Sequence, residues 1–147
     1  MKKIVIAVLC CIVCVSCAYD LSIRTQVIDF SNYSAKGFFL TPASSLEQKY
    51  VPLGEVSIQI ANYLDYKKSI DLPMLEEIAS DKVVHNLAHH FGIAEDNIGI
   101  HEYALCKLIS KAMNLGGDAI INLNISESYG DNGAGIFRVS GFAIKRE

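Results

Sequence analysis

At 147 residues, 51% of them hydrophobic and 20% charged, the chain has the size of one folded domain, which excludes a large multidomain enzyme. Its 13 basic residues against 16 acidic ones leave a net charge of -3. The basic footprint of a nucleic-acid-binding protein is missing, and no nucleic-acid partner is expected.

Lys2 and Lys3 precede an apolar run from Ile4 to Val15 that ends in small residues, the pattern of a secretory signal peptide over residues 1–16. The run is shorter than the roughly 20 residues a spanning helix needs. Val15-Ser16-Cys17 resembles the bacterial lipobox, in which the cysteine receives the lipid; Cys14 stands where that pattern usually has Leu. Ser16-Cys17-Ala18 also fits a small-x-small site for ordinary cleavage after Ala18. A diacylglycerol on Cys17 and an acylated amino terminus, with chains such as palmitate, would bury many methylenes at about 0.8 kcal/mol each, enough for a stable membrane anchor. Without Lys2 and Lys3 the mature chain is more acidic still and gains nothing from anionic headgroups. The expected location is the cell envelope, lipid-anchored at the outer membrane. Cys10, Cys11, Cys14 and Cys17 all fall in or just after the apolar run, so Cys106 alone remains in the domain and no disulfide framework is possible.

Residues 17–49 read as a polar spacer carrying one short docked piece. The island Gly37-Phe38-Phe39-Leu40 would otherwise leave two Phe side chains in water at about 25 cal/mol per Å². The domain proper is expected over residues 50–147. Val56, Ile58 and Ile60 alternate with Glu55, Ser57 and Gln59 at the period of a half-buried strand, with Pro52 near its start. Leu72 to Phe91 shows three- and four-residue apolar steps, divided into two short helices by a cap at Ser80-Asp81. A stronger helix is predicted from about His101 to Leu115, with Leu105, Leu108, Ile109 and Ala112 inward and Gly116-Gly117 as its stop. Ala119 to Ser126 and Ile136 to Lys145 read as a hairpin joined across residues 129–135. Strand, helices and hairpin make an α+β order: a small, mostly antiparallel sheet packed against helices. On simple alternation Ile121, Leu123 and Ile125 oppose Ile120, while Phe137 and Val139 oppose Ile136, Phe142 and Ile144. Both sheet faces are then apolar. One helical layer covers only one of them, which leaves the other for the amino-terminal island or a second subunit.

The stretch Ala104 to Ile121, with Leu115-Gly116-Gly117-Asp118-Ala119 at its centre, is similar to the helix-to-strand signature of the YbjQ-like family of heavy-metal-binding-type domains. Val139-Ser140-Gly141-Phe142-Ala143-Ile144 resembles that family's closing strand, and Leu53-Gly54-Glu55-Val56 its opening strand. The segment from Ala61 to Ile100 departs from the pattern and lacks the usual Gly-Gly-Arg before the main helix. The resemblance spans roughly Tyr50 to Lys145 and implies a small α+β domain that assembles into a ring, commonly a pentamer, without an established reaction and without an agreed set of metal ligands. Asp29-Phe30-Ser31-Asn32-Tyr33, with Gly37-Phe38-Phe39 and Thr41-Pro42, also resembles small lipoproteins of Bacteroidetes-type bacteria.

Few residues suggest chemistry. His85 and His89 lie one helical turn apart, close enough to hold one divalent ion between two imidazoles, with Asp81 on the same face and His90 or His101 as a third ligand. On a helix beginning at Asp81, Val83, Val84, Leu87 and Phe91 form the apolar face, so both histidines point outward to solvent. Cys106 sits inside the main helix, away from the amino-terminal field that activates thiols, and reads as a small inert side chain. Gly130 to Gly135 lacks the Lys-Ser/Thr ending and following helix of a phosphate cradle, and no other cofactor motif appears. Glu76, Glu77 and Asp81 suit a helix start better than an acid/base pair. The chain reads as a non-enzymatic binding and assembly module that forms a homo-oligomer. A divalent-metal-binding or metal-sensing lipoprotein using His85 and His89 is the alternative.

Overall fold

A computed structural model describes residues 29–64, 72–129 and 134–147. The expected signal peptide, the expected lipidation at Cys17 and the tip of the hairpin lie outside these residues. In chain order the elements are α1 (Ser31–Ala35), β1 (Phe39–Leu40), β2 (Tyr50–Leu64), α2 (Leu72–Ser80), α3 (Lys82–His90), a 3₁₀ turn (Glu95–Asn97), α4 (Ile100–Asn114), β3 (Ala119–Tyr129) and β4 (Ala134–Arg146). The result is a mixed α+β fold in which a four-stranded sheet of order β1-β3-β4-β2 packs against helices. β4 runs antiparallel to both β3 and β2, while β1 lies parallel to β3 at one edge.

α4 is the helix on which the fold is built. Leu105, Leu108, Ile109 and Ala112 are buried, together with Ala104 and Cys106, as their 3.6-residue spacing requires. Its first turn is closed by the Gly99 N–H donating to Glu102 Oε2 at 3.1 Å. Its last turn ends in a Schellman arrangement: the Gly117 N–H reaches the Ala112 carbonyl at 2.9 Å and the Gly116 N–H the Met113 carbonyl at 2.8 Å. Gly116 adopts φ 87°, which a residue with a side chain resists. α4 packs on Val56, Phe137, Val139, Ala143, Ile120 and Leu123 of the sheet. Tyr33, Phe38 and Leu40 belong to the same core, so the amino-terminal island docks and adds β1 to the sheet. The parallel pairing of β1 is an addition to the antiparallel sheet expected from the hairpin and first strand.

Two face assignments need correcting. A bulge between Ile121 and Asn124 breaks the alternation of β3, with Asn122 in the left-handed region at φ 52°. Before the bulge Ala119 and Ile121 point away from α4; after it Leu123 and Ile125 point toward α4. Ile121, Leu123 and Ile125 therefore do not share a face. The far face is apolar only at one end, where Ala119, Ile121 and Ile144 are covered by Phe39, Leu46 and Tyr50. Its remainder presents Ser57, Gln59, Asn124, Ser126, Arg138 and Ser140, with Ile136 and the exposed Phe142 as its further apolar residues. On α3 the second correction is Val83, which is 53% exposed, while Val84, Ala88 and Phe91 carry the buried side.

Asp118 ties the sheet to the docked island. Its Oδ1 accepts from the Arg146 backbone N–H at 3.0 Å, its own carbonyl accepts from the Phe39 N–H at 3.0 Å, and the Arg146 guanidinium donates to the Gly37 carbonyl at 2.8 Å. The Arg146 guanidinium also lies 5.7 Å from the Phe39 ring centroid.

Candidate functional site

β2 is fifteen residues long and, among the described residues, pairs only with β4. Every second residue therefore turns its N–H and C=O toward a side that no described strand occupies. Two clefts follow this edge. The first, of about 380 Å³, is lined by Glu55, Val56 and Ser57 on the strand and by Lys111, Asn114 and Leu115 on α4. The second, of about 200 Å³, is lined by Gln59, Ile60 and Ala61 and by Glu77, Ile78 and Tyr103. The two clefts lie in line along this edge, one at each end of the groove region from Glu55 to Ala61, with Ile58 between them lining neither.

The two ends of the groove differ. At the first, Lys111 Nζ donates to the Ser57 carbonyl at 3.2 Å, and the lining residue Leu115, just past the end of α4, is 49% exposed. Ile58 and Ile60, which face the helix layer, are only half-buried because the strand has no outer neighbour. Among the described residues Glu55 is exposed and forms no ion pair.

At the second end, Tyr103 donates its hydroxyl hydrogen to Glu77 Oε1 at 3.1 Å, with Asp81 Oδ2 at 3.5 Å. Lys107 forms an ion pair with Asp81, and its ammonium sits 5.5 Å from the Tyr103 ring centroid. Burial and the neighbouring Glu77 and Asp81 carboxylates raise the Tyr103 hydroxyl above its ordinary value, against the opposing charge of Lys107. The hydrogen bond to Asp81 raises the Lys107 ammonium in spite of partial burial. Both groups keep their protons near neutrality. The cluster thus ties α2, α3 and α4 together.

Asp81 caps α3 by accepting from the N–H groups of Val83 (3.1 Å) and Val84 (3.2 Å). Partial burial pushes its carboxyl up, but the Lys107 hydrogen bond, the Val84 N–H, the Lys107 charge and the Val83 N–H outweigh this and hold it below the usual range. A carboxyl depressed in the folded state contributes stability above its unfolded value and loses it as pH falls through the lower, folded one. Asp81→Ala is therefore expected to cost about 0.5–2 kcal/mol at pH 7. In urea melts the gap from wild type should narrow below about pH 4. A gap independent of pH would refute the assignment. Glu76 and Glu77 do not cap: they occupy the middle of α2, whose first turn contains no acidic residue.

No family model matches the chain, and no curated protein matches it. Among solved structures the chain is similar to a protein of unknown function of the DUF74 family from Pediococcus pentosaceus, at 21% identity and a TM-score of 0.47, covering 76% of this chain and 99% of that one.

His85, His89 and His90 share α3 but make different contacts. His85 donates Nε2–H to the Ile78 carbonyl at 3.0 Å and turns Nδ1 toward Glu95 at 3.6 Å. His89 is exposed, and the His90 ring stands edge-on to Phe91 at 5.1 Å. His101 lies 3.0 Å from Glu127 and packs on the Phe137 ring. Among the described residues no three His, Cys, Asp or Glu side chains are arranged to hold a metal ion. Cys106 is fully buried, and burial, with the Glu102 charge, pushes its thiol up to about 12. A protonated, enclosed thiol is a poor nucleophile. The groove and the Tyr103 cluster escaped sequence reading because their members are far apart in the chain. The one local signal was the apolar Leu115, past the end of the inward stripe of α4.

Proposed function

We propose that this protein is a lipid-anchored component of the bacterial envelope whose domain is a YbjQ-like, non-enzymatic assembly module. The observation that carries this reading is the fifteen-residue β2 edge, which no described strand covers and beside which exposed Leu115 lines a cleft. A long edge of this kind invites pairing with another chain, and natural folds shorten, cover or use such edges. The groove beside β2 adds an apolar wall that a partner can bury. Cys17 supports the anchor. Eleven residues separate it from Asp29, a tether of at most about 40 Å when extended. The resemblance to YbjQ-like domains sets the expected ring at five copies.

Leu115→Glu tests the reading, since Leu115 is exposed and its replacement leaves the core intact. In sedimentation of the lipid-free chain from Ala18 onward, this variant is expected to raise the dissociation constant of the assembly by about tenfold or more, as a charge placed in an apolar contact should. Identical sedimentation of variant and wild type would remove the groove from the interface.

A further inference from the structure

We infer that Lys111 guards the open edge of β2: its ammonium holds the Ser57 carbonyl, so a copy that docks there must displace it, and packing at Leu115 rather than strand pairing selects the partner. The selection rests on the assembly reading; the guard does not.

The register shows which backbone groups the edge presents. The N–H groups of Phe39 and Thr41 donate to the Asp118 and Ile120 carbonyls, so Ile120 turns its backbone groups toward β1 and Ile121 turns its own toward Phe142 of β4. Alternation along β4 then aims Gly141 and Val139 at their partners Val56 and Ile58 on β2. Glu55, Ser57 and Gln59 are left with N–H and C=O facing the open side. The central carbonyl of the three, that of Ser57, accepts from Lys111 Nζ at 3.2 Å. Glu55 lines the same cleft, yet among the described residues Lys111 forms no ion pair and commits its ammonium to the strand instead.

The rest of the edge is protected by related means. Register shifts between Pro52 and Gly54 and between Ala61 and Tyr63 interrupt the ladder with β4 near both ends, and such breaks twist an edge out of line for flat pairing. Pro52 itself has no N–H to offer. Between the two breaks, Gly54 to Ala61 is the regular stretch another strand could follow, and Ser57 stands near its middle. A lysine there is an effective deterrent, because an added strand must strip the ammonium from its acceptor and leave that charge beside the ladder.

Selectivity follows from the guard. Main-chain pairing reads no side chains, so an unguarded edge accepts any extended chain, whereas a cost levied on every strand shifts the choice of partner to side-chain packing. Leu115, exposed in the cleft that Lys111 also lines, is the apolar surface beside the guard.

The test uses the chain from Ala18 to Glu147, which contains every described element, and reads oligomer mass against concentration by sedimentation. Lys111→Met keeps a long side chain of similar helix propensity without the ammonium, and is expected to strengthen association about tenfold or more at an unchanged melting temperature. Adding Ser57→Pro removes an outward N–H, a change an edge position tolerates, and should abolish that gain. Leu115→Glu should weaken Lys111→Met by a smaller factor than it weakens wild type. Association unchanged by Lys111→Met would overturn the guard, as would a gain that Ser57→Pro fails to reverse, which would mark an adhesive Met instead of an opened edge. Equal losses from Leu115→Glu in both backgrounds would overturn the selection. A monomeric wild type would overturn the assembly reading alone, and association gained by Lys111→Met over that monomer would still support the guard.

Discussion

Phe137→Ala is expected to destabilise the domain by about 3–5 kcal/mol, whereas Phe142→Ala, five residues along the same strand, should cost below about 1.5 kcal/mol. The difference comes from the two faces of β4. Phe137 is 1% exposed, the largest fully buried side chain described, and sits beneath α4 with the His101 ring 4.7 Å away. Its removal leaves a cavity bounded by a helix and a sheet, neither of which can collapse into it easily. Phe142 projects from the far face and is 40% exposed, so truncation removes contacts with Ile121 and Glu55 across the ladder without opening an enclosed void. Urea unfolding followed by far-UV circular dichroism measures both. Equal losses would contradict the placement of α4 over one face only.

Gly141→Val should be nearly as damaging, for a steric reason. Gly141 lies on the helix-facing side of β4, and a Cβ there would stand 2.4 Å from Ile120 Cγ2 and 3.0 Å from the Ile121 carbonyl oxygen. Ile120 is fully buried in the main core and the Ile121 carbonyl belongs to β3, so neither neighbour has room to retreat. Overpacking of this kind costs about 1–3 kcal/mol and sometimes more. Gly141→Ala should show a smaller loss in the same melts, because it adds the clashing Cβ without the two methyl groups. If the Ile120 contact is the cause, Gly141→Ala and Ile120→Ala together should cost less than the sum of the two alone. Strict additivity would place the strain elsewhere.

How much of this was legible in the residues depends on how local the determining interaction is. α4 was legible because its burial repeats every three or four residues and its stop is written in Gly116-Gly117, both readable within one turn. The division at Ser80-Asp81 was legible for the same reason: Asp81 bonds to N–H groups two and three residues ahead. The faces of β3 were not, because apolar residues at 119, 120, 121, 123 and 125 satisfy either register and the bulge at Asn122 decides between them. Val83 and Val84 posed a similar choice on α3, a helix too short for its period to discriminate adjacent valines. β1 pairs with a strand about eighty residues away, and Tyr103 meets Glu77 and Asp81 across more than twenty residues. Only packing brings such groups together, so composition and spacing carry no trace of them. The groove followed from the same limit, since an open edge is defined by which strand fails to pair.

The central claim is that this domain exists to assemble, and native mass spectrometry of the chain from Ala18 to Glu147, prepared without a histidine tag, addresses it most directly. One spectrum reports subunit number and bound ions together. The account predicts a closed homo-oligomer, five copies by the YbjQ-like resemblance, with no stoichiometric metal. A monomer at every concentration up to about 100 μM, well above the range of specific protein contacts, would contradict it.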